Sequence, residues 1–527
     1  MKYIFSFLFS LFRVNLTTTT TTTTTFVLSF ILGFYFLTLI SIDHNNSDYY
    51  SIVSTVYARP QVSPDGPTLN DPNLAVETVY QGLKSPTSMA FLGPDDILVL
   101  EKGEGTVQRI VNGEILPEPL IQVDVTSKDE RGLLGIAVVS EEENEDEVEN
   151  REQEESAAVA TTDTSNIQDG SSPTYVFLFF TEAGESKDDA PGGNRVYKYE
   201  LVENNTKLVN PTLLLDLPAV PDDSHVGGVL QIGPDNNLYL SIGDQRPTAY
   251  DRTDDPDSQT KAQNYADGLE PDGRAGILRI TQDGETVVGG GGNGGGSNEG
   301  IFGNEHPLNK YYAIGVKNSF GIDFDPVTGY LWDTENGPTF GDEINLVEPG
   351  FNSGWASIQG FWTLDDGHKK VDEVIPASSS PASAINGEDE ENNDYGLVDF
   401  DGKGKYSSPE FVWDVAPTAI SFLNSDRLGQ QYVNDIFVGD AKYGNLYHFK
   451  LNEQRTELLL DGPLEDKVGA IEELEQQGAI FGHGFGVITD IEVGPDGYLY
   501  VLSFGKEGNL YRIVPAAENS EEEEIIS

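Results

Sequence analysis

The sequence predicts an all-β protein built as a β-propeller. Two short phrases recur along the chain, and no convincing long amphipathic helix lies between their copies. Repeated antiparallel strands without intervening helices are typical of blades arranged around an axis. The chain has 527 residues, 38% of them hydrophobic, so it can bury a large core.

The first phrase alternates apolar and polar residues up to a turn with Pro and Asp, and then leaves as a second alternating run. It occurs at residues 89–103, 230–244, 322–337 and 491–505. Pro fixes φ, Asp or Asn caps the turn, and Gly takes the left-handed position. Each copy therefore predicts two strands joined by a tight turn.

The second phrase predicts the next strand of the same antiparallel unit. Its copies lie at residues 105–111, 194–201, 444–451 and 508–514. Blades of about 40 to 45 residues need only part of the chain, so the surplus must form long loops.

Three segments have the composition of such loops. Residues 141–172 are acidic, residues 288–300 are rich in Gly, and residues 377–396 are rich in Ser, Ala and acids. They lack the apolar content to bury themselves, so we expect disordered inserts. Residues 516–527 form an acidic tail.

Charge and composition exclude several classes of function. The formal charge of −57 weighs against nucleic acid as a partner, because that binding depends on Lys and Arg at phosphates. The chain has no Cys, which excludes disulfides and thiolate chemistry, and it has six His. Any metal should have oxygen ligands, which suits Ca²⁺.

The N-terminal segment, residues 1–60, predicts a membrane anchor or a signal peptide. Residues 26–42 form an uncharged apolar stretch preceded by Lys2 and Arg13. The positive-inside rule places the N-terminus in the cytoplasm and the later residues outside it. An uncleaved anchor is favoured over a signal peptide ending near Ala58, because the apolar stretch ends far from Ala58. Either reading predicts an extracytoplasmic propeller, over residues 74–515.

Several residues are candidates for chemistry. His225 precedes two glycines and a strand, a position that suits a general base, although a structural loop histidine would have the same pattern. Lys317 and Asn318 suit an anionic or carbonyl-bearing ligand, or a simple loop ion pair. The segment 335–345 combines acids with Gly and Pro and suits Ca²⁺, although acids cluster by chance in so acidic a chain. Glu130 is the one further candidate in its segment.

Taken together and in order, these phrases resemble the soluble pyrroloquinoline quinone (PQQ)-dependent glucose/sorbosone, or aldose sugar, dehydrogenases. The resemblance covers roughly residues 76 to 514. Its most specific motifs are GLLGIA at 132–137, HVGG at 225–228 with IGPDNNLYLSIGD after it, AGILRI at 275–280, and the run from GVKN at 315 to Trp355. The resemblance implies a six-bladed propeller.

The resemblance also implies roles for particular residues. His225 matches the base that takes a hydroxyl proton from the sugar, and Gly337 and Pro338 match the carbonyls that hold a Ca²⁺ acting as a Lewis acid. The positions implied for binding the cofactor PQQ are Glu130, Lys317, Asn318, Lys442 and Thr489. Lys317 stands where the family usually has Arg, so the charge is kept and the planar fork of donors is lost.

One motif of this chain differs from that of the family. Where members of the family usually have Arg-x-Arg-Asp, this chain has Val487-Ile488-Thr489-Asp490. PQQ carries three carboxylates, and charge-assisted contacts are worth about 1.5 to 3 kcal/mol each, so the change predicts an affinity lower by about a hundredfold or more.

The sequence thus predicts an extracytoplasmic, Ca²⁺-assisted and PQQ-dependent oxidation of an aldose or related hydroxyl compound, with an external electron acceptor. A non-catalytic propeller that binds a glycan or a protein is the main alternative. A Ca²⁺-dependent lactonase on a similar propeller is the third. The sequence does not fix the sugar or the oligomeric state.

Overall fold

The computed structural model describes residues 60, 62–64, 66–140, 173–185, 190–202, 204–219, 224–245, 259–288, 299–338, 340–364, 371–374 and 396–516. Residues 1–59, which include the predicted anchor at 26–42, lie outside the described residues. So do the predicted insert at 141–172 and nearly all of the inserts at 288–300 and 377–396 and of the tail. Within the described ranges, no helix is long and apolar enough to cross a membrane.

The first two strands, β1 (Thr68–Leu69) and β2 (Leu74–Leu83), belong to sheets that the chain completes near its end. Sheets 1 and 2 follow directly. Sheet 1 contains β3 (Pro86–Gly93), β4 (Asp96–Glu101), β5 (Thr106–Val111), β6 (Glu114–Ile115) and β7 (Ile121–Gln122). Sheet 2 contains β8 (Leu133–Ser140), β9 (Thr174–Glu182), β10 (Gly193–Val202) and β11 (Lys207–Leu217).

The middle of the chain forms sheets 3 and 4 and a small additional sheet. The strands of sheet 3 are β12 (Leu230–Ile232), β13 (Leu238–Ile242), β14 (Gly276–Ile280) and β15 (Tyr311–Ile314), extended by β19 (Phe351–Asn352) and β23 (Lys405–Tyr406). Sheet 4 is made of β16 (Ser319–Phe324), β17 (Leu331–Glu335), β18 (Asp342–Val347) and β24 (Phe411–Trp413). The small sheet is made of β20 (Ile358–Gln359), β21 (Trp362–Leu364) and β22 (Val371–Val374).

The last part of the chain completes sheets 5 and 6. Sheet 5 is made of β25 (Pro417–Phe422), β26 (Ile436–Asp440), β27 (Leu446–Phe449), β28 (Ile480–His483) and β1. Sheet 6 is made of β29 (Val487–Val493), β30 (Leu499–Phe504), β31 (Gly508–Pro515) and β2. The α-helix α1 (Ile471–Gln476) and four short 3₁₀ turns are the helices of the described ranges, which confirms the all-β class. The 3₁₀ turns are Lys261–Gln263, Leu308–Lys310, Gln430–Tyr432 and Gly462–Leu464.

The repeated phrases form the hairpins that they predict. The copies of the first phrase are the antiparallel pairs β3–β4, β12–β13, β16–β17 and β29–β30. Residues with positive φ stand at their turns, as the turn chemistry requires: Asp95 (54°), Asn236 (60°), Gly329 (72°) and Gly497 (82°).

The sheets are arranged as a propeller around a shared axis. The first strand of each numbered sheet contacts the first strand of the next, from β3 through β8, β12, β16, β25 and β29 and back to β3. The buried hydrophobic side chains fall into six clusters, each packed between two neighbouring sheets. β2 pairs with β31, so an early strand closes the last sheet.

Candidate active site

His225 and Asp244 form a buried pair at the end of sheet 3. His225 lies just before β12 with φ 54° and is 7% exposed. Its Nδ1 is 2.7 Å from Oδ1 of Asp244, which follows β13 and is fully buried. The indole Nε1 of Trp355 donates to the other oxygen, Oδ2, at 2.7 Å. Because both contacts at Asp244 come from donors, the carboxylate keeps the proton of His225 on Nδ1 and leaves the lone pair on Nε2.

Lys317 lies at the other ring nitrogen of His225. Its Nζ is 3.2 Å from Nε2, and the side chain is 2% exposed. Burial lowers the pKa of Lys317, against the opposing charges of Asp244 and Glu130. Its backbone N–H donates to Oε1 of Glu335 at 2.7 Å, so β17 fixes the position of this residue. The amine can therefore donate to the lone pair that a base must use.

Glu130 and Asn318 hold the loop of His225 in place. Oε2 of Glu130 accepts from the backbone of Val226 at 3.1 Å and from Nδ2 of Asn318 at 3.2 Å. Oδ1 of Asn318 accepts from the backbone of Gly227 at 3.2 Å. A Cβ at Gly227, where φ is 66°, would lie 2.8 Å from the carbonyl oxygen of Ser241, so this turn requires glycine.

A cavity of about 300 Å³ opens beside this loop. It lies at one end of the propeller axis, because its wall contains residues from or beside the first strands of all six numbered sheets. These residues are Thr87, Leu134, Val229, Phe320, Thr418 and Thr489. Lys102, Asp129 and Glu130 bring charge to its wall, while Val487 and Phe504 make one side apolar.

The structure brings four of the predicted site residues together through hydrogen bonds, namely His225, Glu130, Lys317 and Asn318. Thr489 lines the same cavity, but its hydroxyl donates to the carbonyl of Pro86 at 3.1 Å. Nζ of Lys442 is 2.8 Å from Oδ1 of Asp414, and Lys442 is next to Ala441, which lines the cavity.

Gly337 and Pro338 lie in the loop after β17, where the backbone N–H of Gly337 donates to Oδ1 of Asp342 at 2.9 Å. The carboxylates of this segment are already occupied within the protein. Oε2 of Glu335 and Oε2 of Glu343 both accept from Oγ of Ser353, at 2.7 and 3.2 Å. Across the described ranges, no group of three or more His, Asp or Glu is placed to hold a metal. Any Ca²⁺ here would be coordinated by backbone carbonyl oxygens such as those of Gly337 and Pro338.

Residues missed by the sequence interpretation complete the site: Asp244, Trp355 and Lys102. The first two orient His225, and Lys102 supplies a cation to the cavity wall. For two of these residues the sequence contained a signal that could have identified them. Asp244 and Lys102 both stand where the second strand of a repeated hairpin ends, at the same end of the sheets as the cavity.

Comparison with known proteins agrees with the motifs. The model of the glucose/sorbosone dehydrogenase family matches residues 83–382, which is more than half of the chain. The chain belongs to the glucose/sorbosone dehydrogenase family. It is 24% identical over 447 residues to the aldose sugar dehydrogenase YliI of Escherichia coli, covering 84% of this chain and 92% of that protein.

Two further relatives were found. An uncharacterized protein of Synechocystis is 24% identical over 451 residues, covering 84% of this chain and 87% of that one. The PQQ-bound aldose sugar dehydrogenase of Streptomyces coelicolor has a similar structure, with a TM-score of 0.51 and 20% identity, covering 85% of this chain and 99% of that one. At that identity the structural likeness establishes the fold alone.

PQQ, the cofactor expected from this family, carries three carboxylates, and the cavity wall contains one cation, Lys102, beside the acids Asp129 and Glu130. Two further lysines lie next to the wall: Lys317 contacts His225, and Lys442 follows Ala441 and pairs with Asp414. Ammonium groups thus stand where PQQ would need cations, in place of the guanidinium pair, and the two acids of the wall reduce the net positive charge there.

Buried acids on β17, next to the candidate active site, should make the free energy of unfolding depend on pH. Burial raises the pKa of Asp333, on β17, to about 7, with Asn345 opposing and Glu343 adding to the shift. A folded pKa above the unfolded value of about 4 means that the native state binds more protons. The free energy of unfolding contributed by this group is therefore largest below pH 4 and is lost as the pH rises towards 7.

Asp333→Asn should raise the free energy of unfolding at pH 8 by about 1 to 3 kcal/mol and change it little at pH 4. Urea unfolding at the two pH values measures the difference. Asp401→Asn, at an exposed turn position, is the matched control and should have no effect at either pH. A loss of stability at pH 8 in Asp333→Asn would contradict the prediction.

Proposed function

We propose that this chain is a sugar dehydrogenase that oxidises an aldose or related hydroxyl compound, with His225 as the general base. The observation that carries the proposal is the contact between His225 and Asp244, because the loop of His225 continues into Gly227 and Gly228 in the cavity wall. A neutral imidazole held with its lone pair on Nε2 is the form that can accept a hydroxyl proton. Membership of the glucose/sorbosone dehydrogenase family supports the class of reaction.

Each residue of the site has a defined task in this proposal. A hydroxyl that approaches Nε2 of His225 replaces or shares its hydrogen bond from Lys317, and Nε2 then takes the hydroxyl proton. Asp244 stabilises the imidazolium that forms. Lys317, Asn318, Glu130, Lys442 and Thr489 would hold PQQ, and the carbonyls of Gly337 and Pro338 would hold Ca²⁺. When bound, PQQ with Ca²⁺ supplies the acceptor for the hydride that leaves the same carbon, and an external acceptor reoxidises it.

We further propose that the propeller has six blades, one for each numbered sheet. The closed cycle of first strands and the six hydrophobic clusters between neighbouring sheets support this count. An extracytoplasmic location is proposed from residues 26–42 of the sequence.

A non-catalytic propeller that binds a glycan or a protein is the second candidate. Val487 and Thr489 stand where the family usually has two arginines, and Val487 and Phe504 make that side of the cavity apolar, which favours this candidate. The two candidates differ in whether the chain turns over a substrate.

Reconstitution of the purified chain with PQQ and Ca²⁺ tests the proposed function. We expect aldose-dependent reduction of a redox dye that requires both additions, since neither His225 nor any other side chain can accept a hydride by itself. Chain treated with a chelator and no PQQ is the blank. Tight binding of oligosaccharides without dye reduction under any condition would favour the non-catalytic candidate.

A further inference from the structure

The turn between β10 and β11 contains the sequence Asn204-Asn205-Thr206, which has the form of an acceptor for N-linked glycosylation. In such a sequence Asn is followed after one residue by Ser or Thr, and the middle residue is not Pro. No other Asn of the described ranges begins one. Because so short a motif also occurs by chance, the conformation and the position of this turn decide whether it can accept a sugar.

The acceptor residue is exposed in a turn that is held through its backbone. Asn204 and Thr206 are both exposed. Nη1 of Arg109 donates to the backbone carbonyls of Asn204 and Asn205, at 3.3 and 2.5 Å. The N–H of Thr206 donates to the carbonyl of Val202 at 3.1 Å. These contacts use backbone groups of the turn, so they can persist when the side-chain amide of Asn204 carries a substituent.

The turn is also anchored to the neighbouring sheet. Arg109 lies on β5 of sheet 1, and its Nε and Nη2 donate to the carboxylate of Asp96 at 2.8 and 2.7 Å. Asn204 and Asn205 have φ of 57° and 61°, a left-handed conformation that Asn adopts more readily than most residues. The turn therefore has a defined conformation in which residue 204 is accessible from solvent.

The turn lies at the end of sheet 2 that is remote from the cavity. β8 begins at the cavity, since Leu134 is in the cavity wall. β9 runs antiparallel to β8, and β10 runs antiparallel to β9, so β10 starts near the cavity at Gly193 and runs away from it. Its ten residues, at about 3.3 Å each, place the turn about 30 Å along the sheet from that start. An oligosaccharide on Asn204 would leave the cavity open.

A second asparagine on the same hairpin provides a contrast. Asn210, on β11, is also exposed and also has a positive φ, 52°. It is followed by Pro211 and Thr212, and Pro in the middle position prevents transfer of a sugar. Nδ2 of Asn210 donates to Oε2 of Glu200 at 2.8 Å, so its amide is bound within the hairpin. Asn204 and Asn210 thus share exposure and backbone conformation but differ in the acceptor motif.

We propose that Asn204 is modified by an N-linked oligosaccharide. The proposal rests on the extracytoplasmic location proposed above, because this modification occurs on secreted and surface proteins. The donor is an oligosaccharide joined through diphosphate to a lipid carrier. The bond between C1 of the oligosaccharide and the diphosphate breaks, C1 bonds to Nδ2 of Asn204, and Nδ2 loses one proton. The lipid diphosphate is the leaving group, and the step consumes no oxidant or reductant.

Translation of the full-length chain in the presence of microsomal membranes tests the proposal. Asn15 and Asn45 begin further acceptor sequences outside the described residues, so the readout is the difference from wild type. Asn204→Asp should lose one mobility step that a glycosidase specific for N-linked glycans also removes. Asp tolerates the left-handed conformation, so the turn is preserved. Asn210→Asp is the matched control and should keep every step of wild type, while protection from added protease reports translocation.

Three results would overturn the proposal, and they differ in what they say about the location. Equal mobility of Asn204→Asp and a wild type that is protected from protease would remove the glycan and leave the location intact. Loss of the same step in Asn210→Asp would show that the acceptor sequence is not the cause. Digestion of the propeller by added protease would overturn both the location and the glycan. Dye reduction by the purified chain tests the proposed function independently of all three.

Discussion

His225→Asn should lower the turnover of the PQQ-loaded chain by about 10²- to 10⁴-fold, the range expected for loss of a general base. Asn is preferred to Ala because residue 225 has φ 54°, a left-handed conformation that Asn tolerates and Ala does not. Its amide can still donate to Oδ1 of Asp244, so the loop is preserved while the base is removed. The measurement is the rate of aldose-dependent dye reduction.

A second histidine provides the control for this experiment. His448, on β27, also contacts a carboxylate, with Nε2 2.8 Å from Oδ2 of Asp435. The pair lies outside the loop of Gly227 and Gly228 that enters the cavity wall, and β27 contributes no residue to that wall. His448→Asn therefore removes a similar pair elsewhere and should leave turnover unchanged. Turnover in His225→Asn at the level of His448→Asn would exclude His225 as the base. Equal PQQ affinity in wild type and His225→Asn would show that the loss is chemical.

The hairpins and the propeller arrangement could be predicted because their signals are local. Alternation of apolar residues and the chemistry of each turn act within about fifteen residues, as in the pair β12–β13. Sheet 2 contains no copy of the first phrase, since β8 and β9 are separated by the segment 141–172. In this sheet β10 alone corresponds to a repeated phrase, the copy of the second phrase at residues 194–201.

The sequence interpretation found His225, Lys317 and Asn318 but missed Asp244 and Trp355, although the family motifs include both positions. The contacts of Asp244 join residues far apart in the chain, and alternation carries no information about which loops meet at the axis. Alignment of the hairpin ends contains the missing signal, because antiparallel pairing puts the end of each second strand beside the start of its first strand.

The segment 335–345 shows that composition alone does not separate candidate ligands from structural acids in an acidic chain. Its acids suggest a Ca²⁺ site, but Glu335 and Glu343 are bound by Ser353 inside the protein. Burial raises the pKa of Glu343 to about 7 and that of Glu335 well above its usual value. The side chains of Glu335 and Glu343 are thus engaged inside the protein, and the candidate Ca²⁺ ligands of the segment are the carbonyls of Gly337 and Pro338.

Asp244→Asn should lower turnover by about 10³-fold or more while leaving ligand binding nearly unchanged. The carboxylate accepts from His225 at one oxygen and from Trp355 at the other. An amide has one oxygen for these two donors. Because the indole N–H can only donate, the amide oxygen turns to Trp355 and the amide nitrogen donates to Nδ1 of His225.

The tautomer of His225 then changes, and this explains why so small a substitution has so large an effect. With Nδ1 accepting, the ring proton moves to Nε2, where it faces Nζ of Lys317 and where the hydroxyl proton would have to go. The base is blocked without any loss of shape. A purely structural role for Asp244 would give a lower melting temperature and weaker PQQ binding together with the lower rate. The effect is assigned to orientation of the base if kcat falls while KM, the melting temperature and the PQQ affinity stay at their wild-type values.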